Sequence, residues 1–180
     1  YYNDRRHVGL DFSAEAQVAT YDRRQGDHPD RARSTLKSLG VKPGWIVADI
    51  GCGTGGMACE AADMGATAHA IDISPAMLAL AELRARDAGV SLVTQSAGFL
   101  SFAYEPNSFD LIINTVSAKI PMGAYLGLLK VDGTMVNVGA PAEPLEVTAF
   151  ALIGSRRSWA GSALRGIRAT PGILFFCAQH

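Results

Sequence analysis

The chain has 180 residues, a formal net charge of −1, 48% hydrophobic residues and 18% charged residues. That length supports one domain with a real core, and that balance excludes an intrinsically disordered chain. The near-zero charge gives no general attraction to nucleic acid, and no apolar run reaches the about 18 residues of a membrane-spanning helix.

Ser13 is placed to cap a first short helix within the opening 25 residues. Pro29 suits the first turn of a second helix, Leu36 and Leu39 supply its apolar side, and Gly40 is a natural stop. Residues 46–56, IVADIGCGTGG, then form the junction around which the chain is organised. Ile46, Val47 and Ile50 suit a strand buried on both faces. The glycines let a ligand approach the main chain, and the helix that follows points free N–H groups at it. Gly51, Gly53 and Gly56 fit the dinucleotide pattern G-x-G-x-x-G. Gly51, Gly53 and Gly55 fit the tighter G-x-G-x-G of S-adenosylmethionine (SAM) enzymes. Asp49 breaks the tie, because a carboxylate at the strand end suits the ammonium of SAM and sits badly beside a pyrophosphate.

Met57, Ala61 and Met64 share a face at helical spacing and read as core, and Gly65 ends that helix. TAHAID, 67–72, is the second strand. Asp72 follows the turn at about the 20-residue distance at which a carboxylate meets a ribose diol. An acid that merely ends a strand gives the same pattern. Ser74 and Pro75 start a third helix, with Met77, Leu80 and Ala81 on its buried side. A third strand is expected over 91–95 and a fourth, FDLIIN, over 109–114. Pro121 begins a helix that runs to Leu129. DGTMVNVGAP, 132–141, reads as a turn, a fifth strand and a glycine-proline loop. A short helix over 148–153, a sixth strand over 158–162 and a buried strand or helix in TPGILFFCAQH complete the chain. Arg156, Arg157, Arg165 and Arg168 follow the last acid, Glu146, and read as a solvated edge rather than a phosphate patch.

The alternation predicts an α/β fold: a three-layer, doubly wound, mostly parallel sheet of Rossmann type with strand order 3-2-1-4-5-6. Ligand is expected at the carboxyl ends of the strands, near the first and fourth. No signal peptide is visible, and Cys52, Cys59 and Cys177 lack C-x-x-C spacing. A reducing, cytoplasmic setting is expected, with no disulfide and no metal site.

VADIGCGTGG, AIDISPAML and SFD before the fourth strand resemble class I SAM-dependent methyltransferases over about the first 110 residues. HVGLDFS, ATYDRRQGD and AGFLSFAYE resemble one bacterial subgroup of that family. The resemblance implies a cofactor site built from Asp49, Gly51, Cys52, Gly53, Thr54 and Gly55. It further implies Asp72 at the ribose, Ile73 or Met77 at the adenine, Ala97, Gly98 and Phe99 along the adenine edge, and Asn114 nearby. Many family members carry an acid in the 97–99 loop, where this chain has none. Core packing accounts for Met77 equally well.

The second half carries different wording. FDLIINTVSA, AYLGLLKVDGTMVNVGAPAEPLEV, FALIGSRRSWAGS and FCAQH are similar to the nucleotide-binding domain of zinc-type, cinnamyl-alcohol-like dehydrogenases, over about 108–180. That likeness implies that 115–117 and 138–141 lie by a nicotinamide. The zinc-bearing catalytic domain of that family is not among these residues. Pro171 and Gly172 also break the helix that the family pattern places before FCAQH.

One Rossmann-like domain is therefore expected, with an N-terminal helical segment (1–44), a methyltransferase-like half (45–107) and a dehydrogenase-like half (108–180). It reads as a chimera joined within 108–115. The expected ligand is SAM or its demethylated product S-adenosylhomocysteine (SAH), with NAD the lesser candidate. The expected partner is this small-molecule cofactor, with no nucleic acid and no membrane. Turnover is expected to be weak or absent, and no residue is assigned a catalytic role. A ligand-free scaffold stays open, and the sequence sets no oligomeric state.

Overall fold

A computed structural model describes residues 29–101 and 103–162. The expectations for Ser13, for Cys177, for Arg165 and Arg168 and for TPGILFFCAQH lie outside these residues. In chain order the elements are α1 (Pro29–Ser38), β1 (Ile46–Ile50), α2 (Gly56–Asp63), β2 (Thr67–Asp72), α3 (Pro75–Asp87) and β3 (Leu92–Ser96). There follow β4 (Phe109–Asn114), α4 (Met122–Gly127), β5 (Leu129–Asn137), α5 (Ala149–Ile153) and β6 (Ser158–Gly161). The strands form one six-stranded sheet in the order β3-β2-β1-β4-β5-β6, and every pairing is parallel. The Rossmann-like architecture and the strand order are those the sequence predicts.

β1 and β4 are central and lie almost wholly inside, which their continuous apolar runs require. β3, at the sheet edge, is only half covered. One face of the sheet holds a small-residue core. Ala58, Ala61, Ala68, Ala70, Val47, Leu111 and Ile113 meet Leu36 of α1 and Leu78 of α3 there. The alanines let α2 lie close on the strands. The other face is bulkier, with Ile50, Ile71, Phe109 and Ile112 packed under Tyr125, Leu126 and Met122 of α4. The buried Tyr125 hydroxyl donates to the Phe99 carbonyl at 2.7 Å. Tyr125→Phe is expected to cost about 1 kcal/mol, measured by denaturant unfolding, because it removes one buried hydrogen bond.

Three local expectations change. In α2 the fully buried residues are Ala58, Cys59 and Ala61, while Met57 and Met64 pack only partly against the core. The helix sits so close to the sheet that only small side chains fit beneath it. In α3 the buried set is Met77, Leu78, Ala81 and Ala85, and Leu80 is only half covered. The helix thus turns Leu78 and Ala85, rather than Leu80, into the core. The fourth helix stops at Gly127, and β5 begins at Leu129. The register jumps between Phe109↔Leu129 and Leu111↔Thr134, and Asp132 takes φ 64 there. The expected Asp-Gly turn thus exists, as an irregularity within β5 rather than before it.

The two arginines within reach are held by structure. Arg156 forms an exposed pair with Asp132. Arg157 donates to the Leu129 carbonyl and to Asn107. Among the described residues no helix is long and apolar enough to cross a membrane.

Candidate functional site

Parallel strands bring their carboxyl ends to one edge, so residues far apart in sequence converge there. Asp49 pairs in register with Ala70 and Ile113, Ile50 with Asn114, and Asp72 with Ser96. The glycine turn leaves β1 at this edge. Gly51, Gly53 and Gly55 all take positive φ, 77°, 53° and 77°, which explains why the turn needs glycine. The Gly51 and Cys52 N–H groups both donate to the Ile71 carbonyl, tying the turn to β2. Gly55 is the N-cap of α2, and a Cβ there would stand 2.7 Å from that of Ala81.

Asp49 is 2% exposed. The Ala58 N–H at the start of α2 supports its charge, but Oδ1 has no hydrogen-bond partner. Burial, then the neighbouring Asp72, push its carboxyl up to about 7. Asp72 is better served: Oδ2 accepts from the Gly53 N–H at 2.9 Å and Oδ1 from the Ser74 N–H at 2.8 Å. Burial raises its pKa, and the N–H groups of Ser74, Gly53 and Ile73 oppose that rise. The Cys52 thiol is buried and raised by burial first and then by Asp49 and Asp72, so it stays protonated.

Ser74 caps α3 by accepting the Met77 N–H at 3.3 Å, with Pro75 in the first turn. Thr54 and Met77 are both buried, Met77 to 1% exposure in the core. Ile73 is half-buried. Ala97 donates to the Asp72 carbonyl at 3.0 Å, and Gly98 donates to Ser101 Oγ. Phe99 is 8% exposed and packs in the core beneath α4. The predicted residues therefore gather around the ends of β1, β2 and β3, with Asn114 at the end of β4.

The sequence reading named Asn114, 115–117 and 138–141 on the β4–β5 side but did not single out Asn137. Asn114, fully buried, donates from Nδ2 to Asn137 Oδ1 at 2.8 Å, and Asn137 donates to the Gly139 carbonyl. Thr115 Oγ1 donates towards the carbonyls of Gly51 and Ile50 at 2.6 and 3.0 Å. These bonds link the strand-end loops of the second half to one another and to the glycine turn of the first. Asn at the ends of both fourth and fifth strands is the signal available in the sequence. Among the described residues no group of three or more His, Cys, Asp or Glu is arranged to hold a metal.

With this geometry in view, comparison with known proteins gives two likenesses. Residues 47–124 match the family of the methyltransferase domain. NADP-dependent alcohol dehydrogenase C 1 of Mycolicibacterium smegmatis is 56% identical over 73 residues, covering 41% of this chain and 21% of that protein. The probable formaldehyde dehydrogenase AdhA of Bacillus subtilis is 38% identical over 151 residues, covering 82% of this chain and 42% of that protein. A cinnamyl alcohol dehydrogenase structure from Sorghum bicolor superposes with a TM-score of 0.58 at 30% identity, over 83% of this chain and 42% of that one. The chain thus spans less than half the length of these relatives. The longer alignments reach beyond the last third of the chain, and the methyltransferase match runs past β4 into α4. The two likenesses therefore overlap across the centre of the sheet: one Rossmann-like fold resembles both a methyltransferase domain and the zinc-type alcohol dehydrogenases.

Proposed function

We propose that the chain is a SAM- or SAH-binding Rossmann-like domain of hybrid, chimeric character, with weak or no methyl-transfer turnover. The observation that carries the reading is Asp49, buried at the end of β1 with an unpaired oxygen beside the glycine turn. A buried carboxylate oxygen without a donor is costly, and an ammonium repairs it. A pyrophosphate at the same place would add like charge. Methyl transfer needs an acceptor placed in line with the methyl group, and no acceptor-binding residues are recognisable here. The residues expected to hold the cofactor are Asp49, the turn Gly51, Cys52, Gly53, Thr54 and Gly55, then Asp72, Ile73, Met77, Ala97, Gly98, Phe99 and Asn114. The small-molecule cofactor is the proposed partner, in a cytoplasmic setting.

The swap of halves is physically sensible. Both resembled folds place three strands on one side of the switch point and the rest on the other, so the β1–β4 pairing survives it. The six parallel strands among the described residues support this reading.

A second reading, an NAD-binding domain, is favoured by the dehydrogenase relatives and by Gly51, Gly53 and Gly56. Asp72 opposes a 2′-phosphate there, so NAD should bind more tightly than NADP even though several relatives are named NADP-dependent. Calorimetric titration with SAM, SAH, NAD and NADP in parallel decides. Saturable binding of SAM or SAH alone is expected. Binding of NAD alone would transfer the site to the second reading, and binding of none would leave a folded scaffold.

Asp72→Ala is expected to weaken SAH binding by about 1–3 kcal/mol, read in the same titration, since hydrogen bonds to a charged acceptor are worth that much. Part of the loss arises in the turn itself, because Gly53 and Ser74 lose their acceptor. Unchanged affinity would remove Asp72 from the site.

A further inference from the structure

The environment of Asp49 is acidic and buried, and this determines how a cation must enter it. Asp49 stands on β1, flanked in register by the neutral Ala70 and Ile113. From the glycine turn it faces the Cys52 thiol, from β2 the Asp72 carboxylate, and from α2 the Ala58 N–H. Among the described residues neither carboxylate has an ion-pair partner. The two acids are not equivalent. Asp72 accepts an N–H on each oxygen and is the better place for a negative charge. Asp49 has one oxygen without a partner. Two neighbouring acids in a buried site do not both ionise readily, and the less supported one keeps its proton.

We propose that a SAM-type ligand displaces a proton as it binds. The ligand's ammonium replaces the acid proton of Asp49, one proton passes to solvent, and affinity rises as pH rises through neutrality. The inference rests on the SAM/SAH reading above and adds the control of that site by pH. The balance is simple. The carboxylic acid of Asp49 becomes a carboxylate, its proton goes to buffer, and the ammonium keeps its own charge throughout. The burial that raises the Asp49 carboxyl to about 7 places the change in the neutral range.

The test is calorimetry on the full chain with SAH and with adenosine, which has the same nucleoside but no ammonium. Each is titrated at pH 6 and pH 8, in two buffers of different ionisation enthalpy. For SAH at pH 6 the observed enthalpy should change with the buffer by close to one proton. Its affinity should tighten about tenfold from pH 6 to pH 8. Adenosine should show neither effect, and Asp49→Asn should abolish both for SAH. Thermal melts at each pH confirm that the variant is folded. SAH binding with buffer-independent enthalpy and flat affinity would overturn proton release while leaving the SAM/SAH reading intact. Release of the same proton by adenosine would place the titrating group elsewhere and would also overturn it. Absence of SAH binding at both pH values would overturn the reading itself, and the proposal with it.

Discussion

Asp49→Asn is expected to make the protein more stable at neutral pH, by about 1–3 kcal/mol in denaturant unfolding. The reason is linkage. The folded carboxyl is held at about 7 by burial and by Asp72, well above the ordinary aspartate value near 3.8. Between those values the folded state binds more protons than the unfolded state, so stability falls as pH rises. The penalty is absent below about pH 4 and complete once pH passes about 7. Its upper bound is about 4 kcal/mol, at roughly 1.4 kcal/mol per pKa unit. Asparagine removes the charge but keeps the shape. It also keeps a buried polar group in need of partners, which returns part of the gain. The stability difference between variant and parent should therefore grow from pH 5 to pH 8 and then flatten. A difference that does not change with pH would mean that Asp49 is ionised at little cost. The cost, if found, is a stability penalty held at the proposed binding site.

Gly55→Ala is expected to destabilise the fold by about 2–5 kcal/mol. Two separate effects add. Gly55 caps α2 in the left-handed region, φ 77 and ψ 20, where a side chain costs about 1–2 kcal/mol. Its new Cβ would also stand 2.7 Å from Ala81 Cβ and 3.2 Å from Ala81 Cα, against the body of α3. Overpacking of that kind costs about 1–3 kcal/mol. The double variant Gly55→Ala with Ala81→Gly removes the side-chain part of the clash but not the backbone strain. Urea unfolding of the four proteins in this cycle should give a favourable coupling between the two sites. Additivity would show that α3 moves aside freely and that the strain is all in the turn.

These two residues illustrate what was legible. Among the described residues the elements, their order and the parallel sheet followed from period, turn residues and caps. The Ser74–Pro75 helix start has the geometry expected of it, and β1, β2 and β4 fall on the runs read from the sequence. The positions gathered at the carboxyl edge were also legible, because a parallel sheet places every strand end on one side. The buried face of α3 was not, since rotation about a helix axis depends on what lies beneath it. Nor was the long β5, where pairing with β4 carries strand geometry through an Asp-Gly turn that a linear reading takes as a boundary.

By itself the sequence determined the fold class, the glycine turn and the presence of two acids at the ends of β1 and β2. Only the tertiary structure decided that these acids differ. Asp72 reaches the N–H groups of Gly53 and Ser74, while Asp49 keeps one oxygen unpaired. The same holds for the Asn114 and Asn137 link between the ends of β4 and β5. The physical reason is that burial, hydrogen-bond supply and the distance between charges are properties of surroundings. They come from residues remote in the chain, and no local pattern encodes them.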